Sequence, residues 1–139
     1  MNPILIKHDV SGEDFSLAGE ASVDIKNQLR KMGVPADAIR KAAISIYEAE
    51  INLVIHATGG TVEAEVGNNE IKIRVTDNGP GIPDVNLAVS EGFSTATDEI
   101  RNLGFGAGMG IPNMIRYTDE FDIKSAPGEG TEINMTVRF

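Results

Sequence analysis

Cysteine is absent from the sequence. That excludes disulfides and cysteine-based metal sites and leaves the redox compartment undetermined. Basic residues are scarce: twelve Lys and Arg against twenty-one Asp and Glu give a net charge of −9. Such a balance argues against general binding of nucleic acid or of an anionic membrane. An anionic ligand could still be held locally, by backbone N–H groups, a helix N-terminus or a metal ion. No apolar run approaches the roughly 20 residues of a membrane span. The opening MNPILIKHDV has too short an apolar stretch, met too soon by a charge, for a signal peptide. The expected location is therefore the cytoplasm, away from membranes. Internal repeats, low-complexity tracts and linkers are also missing, so residues 1–139 are expected to form one domain with a real core.

What is present centres on Ala36–Ala57, which has the pattern of a long helix. Ile39, Ala42, Ala43, Ile46, Leu53 and Ala57 fall on one stripe. Lys41, Ser45, Glu48, Asn52 and His56 form a narrow polar line at steps of four, three, four and four. Ile44, Ile51, Val54 and Ile55 fill the space between, so the second half is apolar almost all round and is expected to be buried. An unpartnered buried polar group costs about 1–3 kcal/mol, so Glu48 and Asn52 must be satisfied by the fold or serve a ligand. Glu50 falls within the apolar stripe; it should meet an Arg or Lys, or that side of the helix should be less buried.

Around this helix the chain alternates in character. Ile4–Val10 reads as a strand. Ser16 can cap a helix running to about Met32, with Leu17, Ala21, Ile25 and Leu29 on one face. Gly33 stops that helix and Pro35 opens the next. Thr58-Gly59-Gly60 should end the long helix. Thr61–Val66 and Glu70–Thr76 alternate on either side of Gly67-Asn68-Asn69, which is a hairpin pattern. A Gly- and Pro-rich break follows, with a short helix at about Val85–Ser90. Glu91–Gly110 lacks periodicity and has the length of a lid or binding loop. A helix from about Ile111 to Tyr117 precedes strands Glu120–Ser125 and Thr131–Phe139. Strands grouped in hairpins with helices between favour an α+β two-layer sandwich, with a mixed, mostly antiparallel sheet and helices on one face.

Four groups of residues could carry chemistry. Asp77 stands where a strand ends, before Asn78-Gly79-Pro80-Gly81. Its carboxylate could accept a hydrogen bond from an exocyclic amine such as that of adenine, and the glycines let backbone approach a flat ligand. An ordinary Gly-Pro turn capped by Asp is the alternative. Gly104-Phe105-Gly106-Ala107-Gly108-Met109-Gly110 lies just before a helix and could present N–H groups to phosphates, although it is neither a P-loop nor a dinucleotide fingerprint. Gly128-Glu129-Gly130-Thr131 by itself is a hairpin turn. Glu48 and Asn52, one helical turn apart, could share a hydrated Mg²⁺, with Glu48 orienting or deprotonating a hydroxyl. A buried Glu satisfied by a nearby base is the alternative.

In this order the four groups resemble the GHKL ATP-binding fold, the superfamily of DNA gyrase and the histidine kinases. The length, without a phosphoacceptor-histidine helix, narrows the resemblance to stand-alone anti-sigma-factor serine kinases and the related stressosome switch kinases. Gly92-Phe93-Ser94-Thr95 and Asp119-Glu120-Phe121 look more like the switch-kinase branch. The resemblance implies a serine/threonine protein kinase using ATP, with ADP as product, and Mg²⁺. It makes Glu48 the general base and Asn52 the Mg²⁺ ligand, and has Asp77 read the adenine amine with Thr131 helping through water. Gly79, Gly81 and Ile82 would lie along the adenine and ribose. Ser94, Thr95, Arg101, Gly104, Gly106, Ala107, Gly108, Met109 and Gly110 would belong to the lid and phosphate region. His56 falls where these kinases often carry a histidine; a packed helix-end role is expected of it. The implied partner is a STAS-type anti-anti-sigma or scaffold protein, or a sigma factor, with a homodimer as a further arrangement. Anti-sigma kinases carry a basic residue just before the Gly-Met-Gly. Here Gly106 and Ala107 stand there and Arg101 is the nearest cation. That departure leaves a second function in view, a nucleotide-dependent binding module with little phosphoryl transfer.

Overall fold

The computed structural model describes residues 3–11, 19–56, 59–77, 110–126 and 130–139. The alternating segments become five strands: β1 (Ile4–Ser11), β2 (Gly59–Val66), β3 (Glu70–Asp77), β4 (Glu120–Ala126) and β5 (Gly130–Arg138). The segments of helical period become α1 (Glu20–Lys31), α2 (Ala36–His56) and α3 (Gly110–Tyr117). The helix expected at residues 85–90 lies outside the described residues. Gly59 and Gly60, expected to follow the end of α2, lie beyond its described end and open β2. No described helix is long and apolar enough to cross a membrane.

The strands form one sheet in the order β1-β2-β3-β5-β4. Every pairing is antiparallel, so the mixed component expected of the sheet is absent among the described strands. Register shows how the alternation is used. Ile6, Ala64, Ile73, Met135 and Phe121 stand side by side across all five strands. Val62, Val75, Ile133 and Ile123 form the next row. These residues form the core with Ile25 and Leu29 of α1, Ile39, Ile46 and Leu53 of α2, and Met114 of α3. The opposite face carries the row Lys7, Glu63, Arg74, Asn134 and Asp122. Its charges pair across strands, as in Arg74 Nε to Glu132 Oε1 at 2.6 Å. One sheet face is therefore covered by helices and the other is polar.

Helix α2 lies between α1 and α3. Fully buried Ile46 and Leu53 each contribute about 1.5–3 kcal/mol through burial. Helix α1 ends as the glycine predicts: Gly33 has φ 79°, and the Val34 N–H reaches the Leu29 carbonyl at 3.2 Å. Its start differs from expectation. Ser16 and Leu17 lie outside the described residues, and the capping position is Gly19, with φ 95° and no side-chain cap. The cap comes from Glu50 on α2. Its Oε2 accepts the Ala21 N–H and its Oε1 the Ser22 N–H, both at 3.0 Å. The residue is only 1% exposed, so the less-buried outcome expected for Glu50 is overturned, and among the described residues its partners are the backbone donors of a helix start rather than a base.

Candidate functional site

The polar line of α2 resolves into residues with different duties. Ser45 is buried and its hydroxyl donates to the Lys41 carbonyl at 2.8 Å, so it is satisfied within its own helix. Lys41 pairs with Asp37 at 3.1 Å. Glu48 is half-buried, and its Oε1 accepts a long bond from Asn113 Nδ2 at 3.4 Å, beyond the usual 2.7–3.2 Å range. Burial pushes the Glu48 carboxyl above its ordinary value, and the Asn113 contact opposes that shift. Asn52 is half-buried one turn further on. Arg40 stands over the Tyr117 ring, 5.7 Å from its centre, and so ties α2 to α3 on the side of Glu48.

The sheet supplies the second half of the site. Asp77, the last residue of β3, is flanked in register by Gly60 on β2 and Thr131 on β5. By the pleat, Asp77 shares a face with Ile73 and Val75, and Thr131 with Ile133 and Met135. Both are therefore on the helix side of the sheet, at the same end. Gly60 explains how α2 approaches that end. A Cβ there would collide with the Thr76 carbonyl oxygen and come 3.0 Å from Leu53 Cδ2. The bare backbone of Gly60 therefore leaves room for Leu53, the neighbour of Asn52, against this end of the sheet.

Sequence reasoning missed Gly60 and Asn113. A glycine inside an alternating strand is a signal of close backbone approach. Asn113 had a signal too, as the one polar residue among Ile111, Pro112 and Met114 at the start of α3. Gly110, assigned to the lid, is the first residue of α3; a helix start favours negative charge. The expected site residues Gly79, Gly81, Ile82, Ser94, Thr95, Arg101, Gly104, Gly106, Ala107, Gly108 and Met109 lie outside the described residues, as does the side chain of His56.

Among the described residues, no group of three or more His, Cys, Asp or Glu could hold a metal ion. Glu48 and Asn52 offer oxygens that keep accepting capacity: one has a single long bond, and no described residue bonds the other's side chain. That donor set suits a hydrated Mg²⁺ shared with phosphates, and does not suit a caged ion.

Comparison with known proteins gives the family. Residues 38–139 match the family described as histidine kinase-, DNA gyrase B-, and HSP90-like ATPase. The chain is 33% identical to the serine/threonine-protein kinase RsbT of Bacillus subtilis over 112 residues, 78% of each chain. It is 35% identical over 101 residues to an anti-sigma F factor of Thermoanaerobacter sp., covering 73% of this chain and 63% of that one. Among solved structures, the mycobacterial sensor histidine kinase MprB superposes with a TM-score of 0.55 over 97% of each chain. At 15% identity that likeness concerns the fold alone.

Proposed function

We propose, on the premise that the chain belongs to the histidine kinase-, DNA gyrase B-, and HSP90-like ATPase family, that it is a cytoplasmic single-domain serine/threonine protein kinase. It binds ATP with Mg²⁺ and transfers the γ-phosphoryl group to a Ser or Thr of a partner protein. The observation that carries this reading is Glu48: a half-buried carboxyl, raised in pKa by burial and held among the described residues by one long bond. A base tuned toward neutral pH is suited to take a hydroxyl proton.

Each residue then has a task. Asp77 accepts the adenine amine at the sheet end, with Thr131 beside it in register. Asn52 would hold Mg²⁺ through its carbonyl oxygen, and the ion, when bound, offsets charge on the phosphates. The partner's hydroxyl oxygen bonds to the γ-phosphorus, the bond to the β–γ bridging oxygen breaks, ADP leaves, and Glu48 receives the hydroxyl proton. On this reading Gly79, Gly81 and Ile82, outside the described residues, would line the base and ribose. Residues 104–110 would cover the phosphates, with Ser94, Thr95 and Arg101 beside them. The name anti-sigma F factor among the relatives supports a sigma factor as partner, and serine/threonine-protein kinase a protein substrate; on this reading that substrate is of the STAS type.

Incubation with Mg-ATP and candidate partners should label a Ser or Thr of one partner, and Glu48→Ala should abolish the label. Persistent labelling in Glu48→Ala would remove Glu48 as the base. Gly106 and Ala107, standing where related kinases carry a basic residue, favour a second reading: a nucleotide-dependent binding module. Partner binding that responds to ATP and ADP without any label would select it.

A further inference from the structure

Glu50 is the one fully buried carboxylate among the described residues, and the proposed reaction gives it no task. The first turn of any helix has backbone N–H groups without partners, which a side chain at the capping position normally satisfies. In α1 that position is Gly19, so the two oxygens of Glu50 take the Ala21 and Ser22 donors instead. Two more contacts fall in line with it. The Ala43 carbonyl accepts the Ser22 hydroxyl at 3.0 Å. The Tyr47 ring lies against Gly19, where a Cβ would come 3.2 Å from Cε2. Residues 43, 47 and 50 step by four and three, so they form one stripe of α2 that faces the start of α1.

That stripe lies away from the site. At 3.6 residues per turn, Glu50 is about 160° around the helix from both Glu48 and Asn52. Fastening the Glu50 side therefore fixes the rotation of α2 about its own axis. An atom roughly 6 Å from the axis moves roughly 1 Å when the helix turns by about 10°. A displacement of that size in a positioned group can cost on the order of 10²-fold.

We propose that Glu50 is a positioning residue of the nucleotide site. By capping α1 from α2 it sets the azimuth of α2, and so the placement of Glu48 and Asn52 and the Mg²⁺-dependent part of nucleotide binding. The proposal rests on the reading of Asn52 as the Mg²⁺ ligand.

The test uses the full chain and the imido analogue of ATP, titrated by calorimetry in Mg²⁺ and in EDTA. It is run at a temperature where circular dichroism shows each variant fully folded. The wild type should bind more tightly in Mg²⁺. Glu50→Gln turns one acceptor into a donor facing a backbone N–H. It should reduce the Mg²⁺ advantage at least tenfold, while affinity in EDTA, which draws on Asp77 and Thr131 of the sheet, changes less than twofold. Glu50→Asp keeps both acceptors but sets them back by one methylene; it should lose an intermediate amount, and it carries the test if the Gln variant does not fold. Folded variants that melt lower yet keep the wild-type Mg²⁺ advantage overturn the role of Glu50 and leave the reading of Asn52 standing. A wild type with equal affinity in Mg²⁺ and EDTA overturns both.

Discussion

Two glutamates two residues apart on α2 face opposite flanks of the helix and meet opposite fates. Toward α1, Glu50 is 1% exposed and both its oxygens accept backbone N–H groups at 3.0 Å. Toward α3, Glu48 is half-buried and, among the described residues, has one bond, from a side-chain amide at 3.4 Å. The first carboxylate is fully engaged with donors the fold cannot satisfy otherwise, so it serves structure. The second has lost water without gaining equivalent bonds, and that is the condition under which a carboxyl becomes a stronger base. Burial depth alone would have ranked the two the wrong way for chemistry; what separates them is the number and quality of their donors.

The contrast should be largest in catalysis. Glu48→Ala should lower phosphoryl transfer by about 10²–10⁴-fold with little change in nucleotide affinity, as measured by partner labelling beside calorimetry. If Glu50→Ala lowered transfer as much, with the protein folded and nucleotide affinity kept, the division of labour would collapse. The next effect belongs to stability. Glu50→Ala leaves two helix-start donors unpartnered and should cost about 3 kcal/mol, read as a fall in Tm of roughly 10 °C.

Smaller effects test the two flanks more finely. The raised Glu48 pKa means that the folded state holds its proton more tightly than the unfolded state. The associated stability is fully present below the ordinary carboxylate pKa and is lost as pH rises through the raised folded value. Glu48→Gln should therefore melt a few degrees above wild type at pH 7, with the gain vanishing at pH 4. A constant gain at both values would mean that desolvation of the charge is not its source. Smallest of all should be His8→Ala. The His8 Nε2 to Asp24 Oδ2 pair, 2.6 Å long, also ties α1 to the sheet. Both side chains keep substantial exposure, however, and such pairs contribute within about 1 kcal/mol. A loss from His8→Ala equal to that from Glu50→Ala would show that α1 is held at its surface and not by its buried cap.

The sequence was most informative where the structure is local. Helix α2 begins at Ala36 as its pattern requires and is described to His56, Ala57 lying outside the described residues. Both hairpins form where alternation and glycine turns place them. What residue letters could not convey is the pairing of β3 with β5, which joins segments more than fifty residues apart and puts Asp77 opposite Thr131. Nor could they identify the partner of Glu50. A search for a basic residue was bound to fail, because the donors are peptide groups of Ala21 and Ser22, which every sequence contains. Gly60 was read as punctuation after a helix, when its lack of a side chain is what lets α2 and β3 approach at the site.

The cap that Glu50 supplies also orders events in time. Helix α1 is completed by a side chain 28 and 29 positions further along the chain than the amides it satisfies. All of α1 is therefore synthesised before the residue that finishes it has been added. The first turn of α1 should stay frayed until α2 docks. In the mature protein, hydrogen exchange at the Ala21 and Ser22 amides should then report the undocking of α2 rather than the fraying of α1 itself.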